Sequence, residues 1–361
     1  MAGPEVDNVA IILPVVNERA NLEILLPRLE SYTVYVVDDG STDGTQQVCS
    51  SWSNVHLVER NRRMGLVSAI LEGFKRLPSS CKYAVVMDSD FSHDPSYVPD
   101  LLKAASEKHA DLVVGSRYVP GGKNRDTIKR RLISLGGNIA FRSTFSAKVR
   151  DATSGFRVYS ASAMEFLLDS NLLEPISPSY AGQIDIMRRL IGSGFKVFEY
   201  PILFVKRSQG KSKLKFNDIG NFASLIFKKG NIGRYVIVGI SGVFVNYLIL
   251  FLLYGYMGFP ASPLAVEASV VSNFVLNDRF TFKKRPTTGK TTFLFRLARF
   301  NFFSLLGIGV NAGIFYLLLT SGIINKGSIY GIGIAQLVGI VCAFLVTYLS
   351  STFYVWRESE R

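Results

Sequence analysis

Tyr83-Ala84-Val85-Val86-Met87-Asp88-Ser89-Asp90-Phe91-Ser92-His93-Asp94-Pro95 passes from an apolar run straight into a pair of carboxylates. Residues 83–87 read as a buried strand, and Asp88 and Asp90 stand where it meets its loop. Two readings of the pair compete. Aspartate is a common loop residue, so the strand's exit into water alone accounts for it. Closely spaced oxygen donors also suit a hard divalent cation. The rest of the chain decides between them.

The pattern recurs upstream. Residues 9–16 read as a strand and 21–28 as a helix. Residues 34–37 read as a second strand, ending in Asp38-Asp39-Gly40-Ser41-Thr42-Asp43-Gly44-Thr45, and a helix near 65–74 precedes the opening stretch. Strands alternating with helices, with acidic and glycine-rich turns at strand carboxyl ends, predict a parallel α/β sheet with its ligand site along that edge. Neither a Walker motif nor GxGxxG occurs, which excludes a P-loop ATPase and a simple dinucleotide domain. Asp38 and Asp39 have two uses open to them. They cap the next helix with Ser41 or Asp43, or they accept hydrogen bonds from a nucleobase or ribose.

Pro14-Val15-Val16-Asn17-Glu18, Val37-Asp38-Asp39-Gly40-Ser41-Thr42-Asp43 and Asp88-Ser89-Asp90 resemble the successive donor-site motifs of family 2 glycosyltransferases with the GT-A fold. Gly115-Ser116-Arg117-Tyr118, Arg130-Arg131-Leu132-Ile133-Ser134, Asp151-Ala152-Thr153-Ser154-Gly155-Phe156 and Arg207-Ser208-Gln209-Gly210-Lys211-Ser212-Lys213-Leu214 are similar to polyprenyl (dolichyl) phosphate mannose synthases. The C-terminal part looks like the GtrA-type four-helix domain fused to some of them. The resemblance implies inverting transfer of a hexose to polyprenyl or dolichyl phosphate. Mannose from GDP-mannose is the first choice and glucose from UDP-glucose the second.

By that resemblance, Asp88, Asp90 and Ser92 hold Mg2+ or Mn2+. Pro14, Val16, Glu18, Val37, Asp39, Asp88, Ser89, Asp90, Arg207 and Lys213 enclose the nucleotide sugar. Arg117, Arg130 and Ser134 take the acceptor phosphate, and Asp90, Arg117, Arg130 and Arg207 carry catalysis. The chemistry suits these residue types. A diphosphate leaving group calls for a hard cation on oxygen ligands, and the diphosphate itself completes the shell. A lipid phosphate has a second pKa of about 6 and needs no general base. It needs cations to hold it beside another anion, and arginine supplies permanent bidentate contacts. Two positions depart from the family pattern. Val16 stands where an aromatic is frequent, and Ser92 where some relatives carry glutamine. His93, beside a hard-cation site, is expected to be structural. The (Q/R)xxRW element of processive polysaccharide synthases is absent.

The chain carries a net charge of +13. Its basic residues cluster beside apolar spans, which points to lipid headgroups and membrane topology rather than nucleic acid. The first apolar run is short, proline-interrupted and not preceded by a basic segment, unlike a secretory signal. Cys49, Cys81 and Cys342 show no metal spacing and no pairing, as in a reducing compartment. Residues 236–259, 264–282, 300–322 and 329–356 are each long enough to span a bilayer. The second is interrupted by Glu267, Asn273, Asn277 and Asp278, whose polar groups are expected to face partner helices. Lysine and arginine crowd the segment before the first span and the loop between the second and third. That places the N-terminal domain, the middle loop and the C-terminus in the cytoplasm.

Arg234, Gly242 and Val245-Asn246 recur as Arg299, Gly307 and Val310-Asn311, which predicts a duplicated helical hairpin with glycines at close helix contacts. Residues 216–234 have the spacing of an amphipathic interface helix, or simply end the soluble core. The expected order is a GT-A domain over 1–215, this interface segment, a four-helix domain over 235–356 and a tail, 357–361. A reading of another class, a lipid-linked sugar flippase or a non-catalytic scaffold, draws on the same polar second span.

Overall fold

A computed structural model describes residues 8–145, 147–169, 176–177, 180–205, 216–258, 260–282, 290–323 and 329–356 of the 361-residue chain. The apolar runs form strands with helices between them. They are β1 (Val9–Val15), α1 (Arg19–Leu25), β2 (Thr33–Asp38), α2 (Thr45–Ser50), β3 (Val55–Glu59), α3 (Leu66–Arg76), β4 (Tyr83–Val86), α4 (Val98–Glu107), β5 (Leu112–Ser116), β6 (Lys123–Asn124), α5 (Ile128–Phe145), β7 (Arg157–Ser160), α6 (Ala161–Leu168), α7 (Tyr180–Gly192), β8 (Val197–Pro201) and β9 (Leu203–Phe204). α8 (Phe216–Lys229) follows, at the position of the expected amphipathic helix. The chain divides into two compact units, Met1–Arg142 with Ala147–Leu225 and Ile226–Arg361 with Ser143–Ser146.

In the first unit the main sheet among the described residues has seven strands in the order β3-β2-β1-β4-β7-β5-β8. The expected parallel sheet is mixed at one point: β7 pairs antiparallel with both β4 and β5. The reversal has a use. It brings the loop preceding β7 to the edge where the parallel strands β1, β2, β4 and β5 end. The core is built from the central strands, with Ile11, Leu13, Val36, Val85 and Val113 fully buried. α3 lies so close to β1 that a Cβ on Gly73 would stand 2.8 Å from Ile12 Cγ2. Gly73→Val is therefore expected to cost about 1–3 kcal/mol by overpacking, read as a lowered melting temperature with strand content retained.

The second unit contains α9 (Asn231–Met257), α10 (Ala261–Leu276), α11 (Lys290–Thr320) and α12 (Ile329–Ser350). Three helices among the described residues are long and apolar enough to cross a membrane: Asn231–Met257, Phe293–Thr320 and Tyr330–Val355. α10 is shorter, 16 residues, continued by a π turn at Asn277–Thr281. α12 is continued in the same way at Ser351–Val355.

The duplication is visible in the packing. A Cβ on Gly242 of α9 would strike Asn273 of α10, and one on Gly307 of α11 would strike Thr347 of α12. Two of the polar groups of the second segment, Asp278 and Glu267, meet partners on other helices. Asp278 Oδ1 accepts from Arg296 Nη1 at 2.6 Å and from Trp356 Nε1 at 2.8 Å, and Glu267 accepts from Asn301 at 2.7 Å. The 283–289 loop and the 357–361 tail, on which the topology expectation partly rests, lie outside the described residues.

Candidate active site

The sheet order decides what can meet. β2, β1 and β4 are neighbours running in one direction, so the segments following them share one edge. Pro14 pairs with Val37 in register. Asn17, in the left-handed region at φ 52°, turns the chain between β1 and α1. Its N–H donates to Ser41 Oγ at 2.7 Å, and its Oδ1 accepts from the Thr42 N–H at 2.8 Å. The Glu18 N–H donates to Thr45 Oγ1 at 3.1 Å, and the Glu18 carboxylate accepts from Asn21 Nδ2 at 2.6 Å. Two loops are thus laced into one floor, with Val16 half-buried between them.

The two aspartates at the end of β2 are both used within the fold. Asp38 accepts from the Ser41 N–H at 3.0 Å and from the amide of Gln46. Asp39 accepts from the N–H groups of Met64 and Gly65 at 3.2 and 3.0 Å and pairs with Arg60 at 2.9 Å. These bonds tie β2 to the start of α3. Arg60 carried no role in the sequence reading, since one arginine in so basic a chain is unremarked without its partner.

After β4, Asp88 and Asp90 differ in setting. The Asp88 side chain is 41% exposed. Asp90 is buried, and its Oδ1 accepts from the Ser92 N–H at 3.0 Å and the Ser92 hydroxyl at 2.5 Å. Ser89 and Ser92 are buried as well. Ser92 thus gives its hydrogen to Asp90 and fixes that carboxylate's rotation. The Asp88 N–H donates to His93 Nδ1 at 3.0 Å. His93 stacks on Phe156 with ring centroids 5.1 Å apart and meets Phe204 edge-on. Burial pushes the imidazole below the usual histidine range, in keeping with a neutral ring whose Nδ1 is an acceptor. Among the described residues, no three His, Cys, Asp or Glu side chains group as a self-sufficient metal site.

The loop before β7 meets the end of β5. Asp151, fully buried, takes Arg117 in a fork: Nε to Oδ2 at 2.8 Å and Nη2 to Oδ1 at 2.7 Å. The Arg117 backbone N–H adds a third bond to Oδ2 at 2.9 Å. Burial alone would push the Asp151 carboxyl up. The hydrogen bonds and charge of Arg117 outweigh it and hold the group below the usual aspartate range. Glu199 steadies the loop from below, accepting from the N–H groups of Arg150 and Asp151 at 2.7 and 2.8 Å. Burial pushes its own carboxyl up.

Thr153 Oγ1 then collects Arg117 Nη2 at 2.7 Å, Ser134 Oγ at 2.9 Å and Asn138 Nδ2 at 3.3 Å. Arg130, Ser134 and Asn138 are spaced four apart on α5, so Arg130 lies one turn along the same face. Its own ion pair, with Asp126, is loose at 3.6 Å. Arg117 and Ser134 are therefore brought together, with Arg130 beside them. Arg207 and Lys213 lie outside the described residues. Asp151, Thr153 and Asn138 had no role in the sequence reading. A motif containing the first two was visible, but only an antiparallel β7 delivers it to this edge.

At its strand ends the mixed sheet carries an acidic pair and an anchored arginine. Residues 10–168 match the model of Glycosyl transferase family 2, and residues 234–356 match that of the GtrA/DPMS transmembrane domain. The dolichol-phosphate mannosyltransferase of Pyrococcus furiosus is 35% identical over 370 residues, 96% of this chain and 99% of the relative. A polyprenol monophosphomannose synthase of Mycolicibacterium smegmatis is 36% identical over 62% of this chain and 87% of its own. An undecaprenyl-phosphate mannosyltransferase of Micrococcus luteus is 35% identical over 63% of this chain and 96% of its own. The chain belongs to this family of dolichol- and polyprenol-phosphate mannosyltransferases, built as a family 2 catalytic domain joined to a GtrA/DPMS membrane domain.

Proposed function

We propose that the protein transfers mannose from GDP-mannose, with inversion, to polyprenyl or dolichyl phosphate. The observation that carries this is the meeting, at one sheet edge, of an acidic pair with an arginine locked on a buried carboxylate. The names of the relatives supply the sugar and the lipid class. The residues fit a divalent cation, Mg2+ or Mn2+. Two of the three candidate donors are carboxylates, one open to solvent and the other held in place by the third, Ser92. Asp88 and Asp90 would hold it, and when bound it supplies positive charge to a diphosphate leaving group.

The protein's own residues do the rest. Pro14, Val16, Glu18, Val37 and Asp39 form the floor for the nucleoside. Arg117, Arg130 and Ser134 hold the acceptor phosphate, and Arg207 and Lys213 are assigned to the donor by the family resemblance alone. The phosphate oxygen attacks the anomeric carbon as the bond to the nucleoside diphosphate breaks, and no base is needed because the acceptor is already ionised.

The catalytic domain and both termini lie in the cytoplasm on this reading, with α9 to α12 in the membrane and α8 along its surface. Purified protein in detergent, given polyprenyl phosphate, Mn2+ or Mg2+, and GDP-mannose or UDP-glucose in turn, is expected to make labelled lipid from GDP-mannose. Product from UDP-glucose alone would replace the sugar. No product with either donor would overturn the transfer and favour a scaffold.

A further inference from the structure

Gln183 on α7 is 2% exposed, yet its side-chain oxygen Oε1 has no hydrogen-bond partner among the described residues. Leaving a buried polar atom unpaired costs about 1–3 kcal/mol, so the position calls for an explanation. The residue is not loosely placed. Its backbone carbonyl accepts from Arg157 Nη1 at 2.9 Å. Arg157, fully buried, also donates to the carbonyls of Ser154 and Ala152, each at 2.8 Å. One guanidinium thus clamps Gln183 to the loop that carries Asp151 and Thr153.

Gly155 leaves the space in front of it. A Cβ there would stand 3.5 Å from Gln183 Nε2, 3.7 Å from Asp88 Oδ2 and 3.4 Å from His93 Cε1. The amide Nε2 and the solvent-exposed Asp88 carboxylate therefore flank the same position, which Gly155 leaves without a side chain. A primary amide presents an acceptor and a donor side by side, which matches neighbouring hydroxyls on a sugar ring.

We propose that Gln183 binds a hydroxyl of the transferred hexose and is a specificity-determining residue of the site. The assignment rests on the proposed hexosyl transfer. Its test compares the wild type with Gln183→Leu, or with Gln183→Met should the leucine variant not fold. Each receives the donor that the wild type accepts, the nucleoside diphosphate alone, and donor analogues lacking one hydroxyl each.

The variant is expected to lose about 10- to 100-fold in kcat/KM for the full donor. Its affinity for the nucleoside diphosphate should stay unchanged. Its melting temperature should hold or rise, because an unpaired polar atom has been removed. One deoxy donor, poor with the wild type, should match the full donor in the variant. A variant with unchanged kcat/KM would overturn the assignment. So would analogue losses equal in both proteins, or a lowered melting temperature together with weaker nucleotide binding. A wild type that moves no hexose at all overturns the transfer itself, which the wild-type assay alone reveals.

Discussion

Asp90→Ala is expected to reduce hexosyl transfer by about 10^3-fold or more. Charge stabilisation of this kind is worth several kcal/mol, and about 4 kcal/mol is a thousandfold. Two controls separate the carboxylate's charge from the turn it holds. Asp90→Asn keeps an oxygen for the Ser92 N–H and hydroxyl, so the loop survives while the negative charge goes. Its loss should approach that of Asp90→Ala. Ser92→Ala keeps the charge and removes only the hydroxyl that orients it, and should cost about tenfold, the worth of one hydrogen bond to a charged group. The binding readout is Mn2+-dependent affinity for the nucleoside diphosphate, which should vanish in both Asp90 variants. Full transfer in either, or lost transfer with metal dependence intact, would end the metal reading.

Much of this site was legible because strand ends are legible. Residues 9–16, 34–37 and 83–87 are apolar runs closing on Asn17-Glu18, Asp38 and Asp88, and β1, β2 and β4 form there within a residue or two. What short-range pattern does not carry is strand direction. Nothing in Arg157–Ser160 says that it runs against its neighbours, and that direction alone brings Asp151 to Arg117. Polar satisfaction is equally invisible in a single stretch. Asp39 reads as a nucleoside contact, and its bonds to Met64, Gly65 and Arg60 come from residues more than twenty positions on. In the membrane unit the repeat was visible as Arg234, Gly242 and Asn246 against Arg299, Gly307 and Asn311. The paired π turns were not, because a π turn is one residue's excess in an otherwise helical pattern.

Asp151→Asn and Arg117→Ala should each lower acceptor turnover by about 10^2- to 10^3-fold, the scale for losing one group placed to stabilise developing charge. Donor binding should be untouched, because the bonds described for the two side chains run to each other, to Thr153 and to Asn138, on the β5 and β7 side of the edge. The physical basis is the depth of the pair, with side chains 8% and 0% exposed. Removing either partner strands the other charge away from water, a loss of about 3–5 kcal/mol in stability. Asp151→Asn is the milder probe, since the amide still fills the space and accepts one bond from the guanidinium. Acid titration gives a readout independent of turnover. Asp151 ionises below the usual range in the fold and near about 3.9 in an unfolded chain. Its contribution is therefore complete above about pH 4 and is lost as pH falls toward the folded value. Melting temperature followed from pH 7 to pH 3 should drop steeply on the acid side in the wild type and more gently in Asp151→Asn. Equal acid slopes would show that Asp151 does not anchor Arg117 as a charge. Unchanged turnover with stability lost would leave the pair a structural brace and move the acceptor phosphate elsewhere.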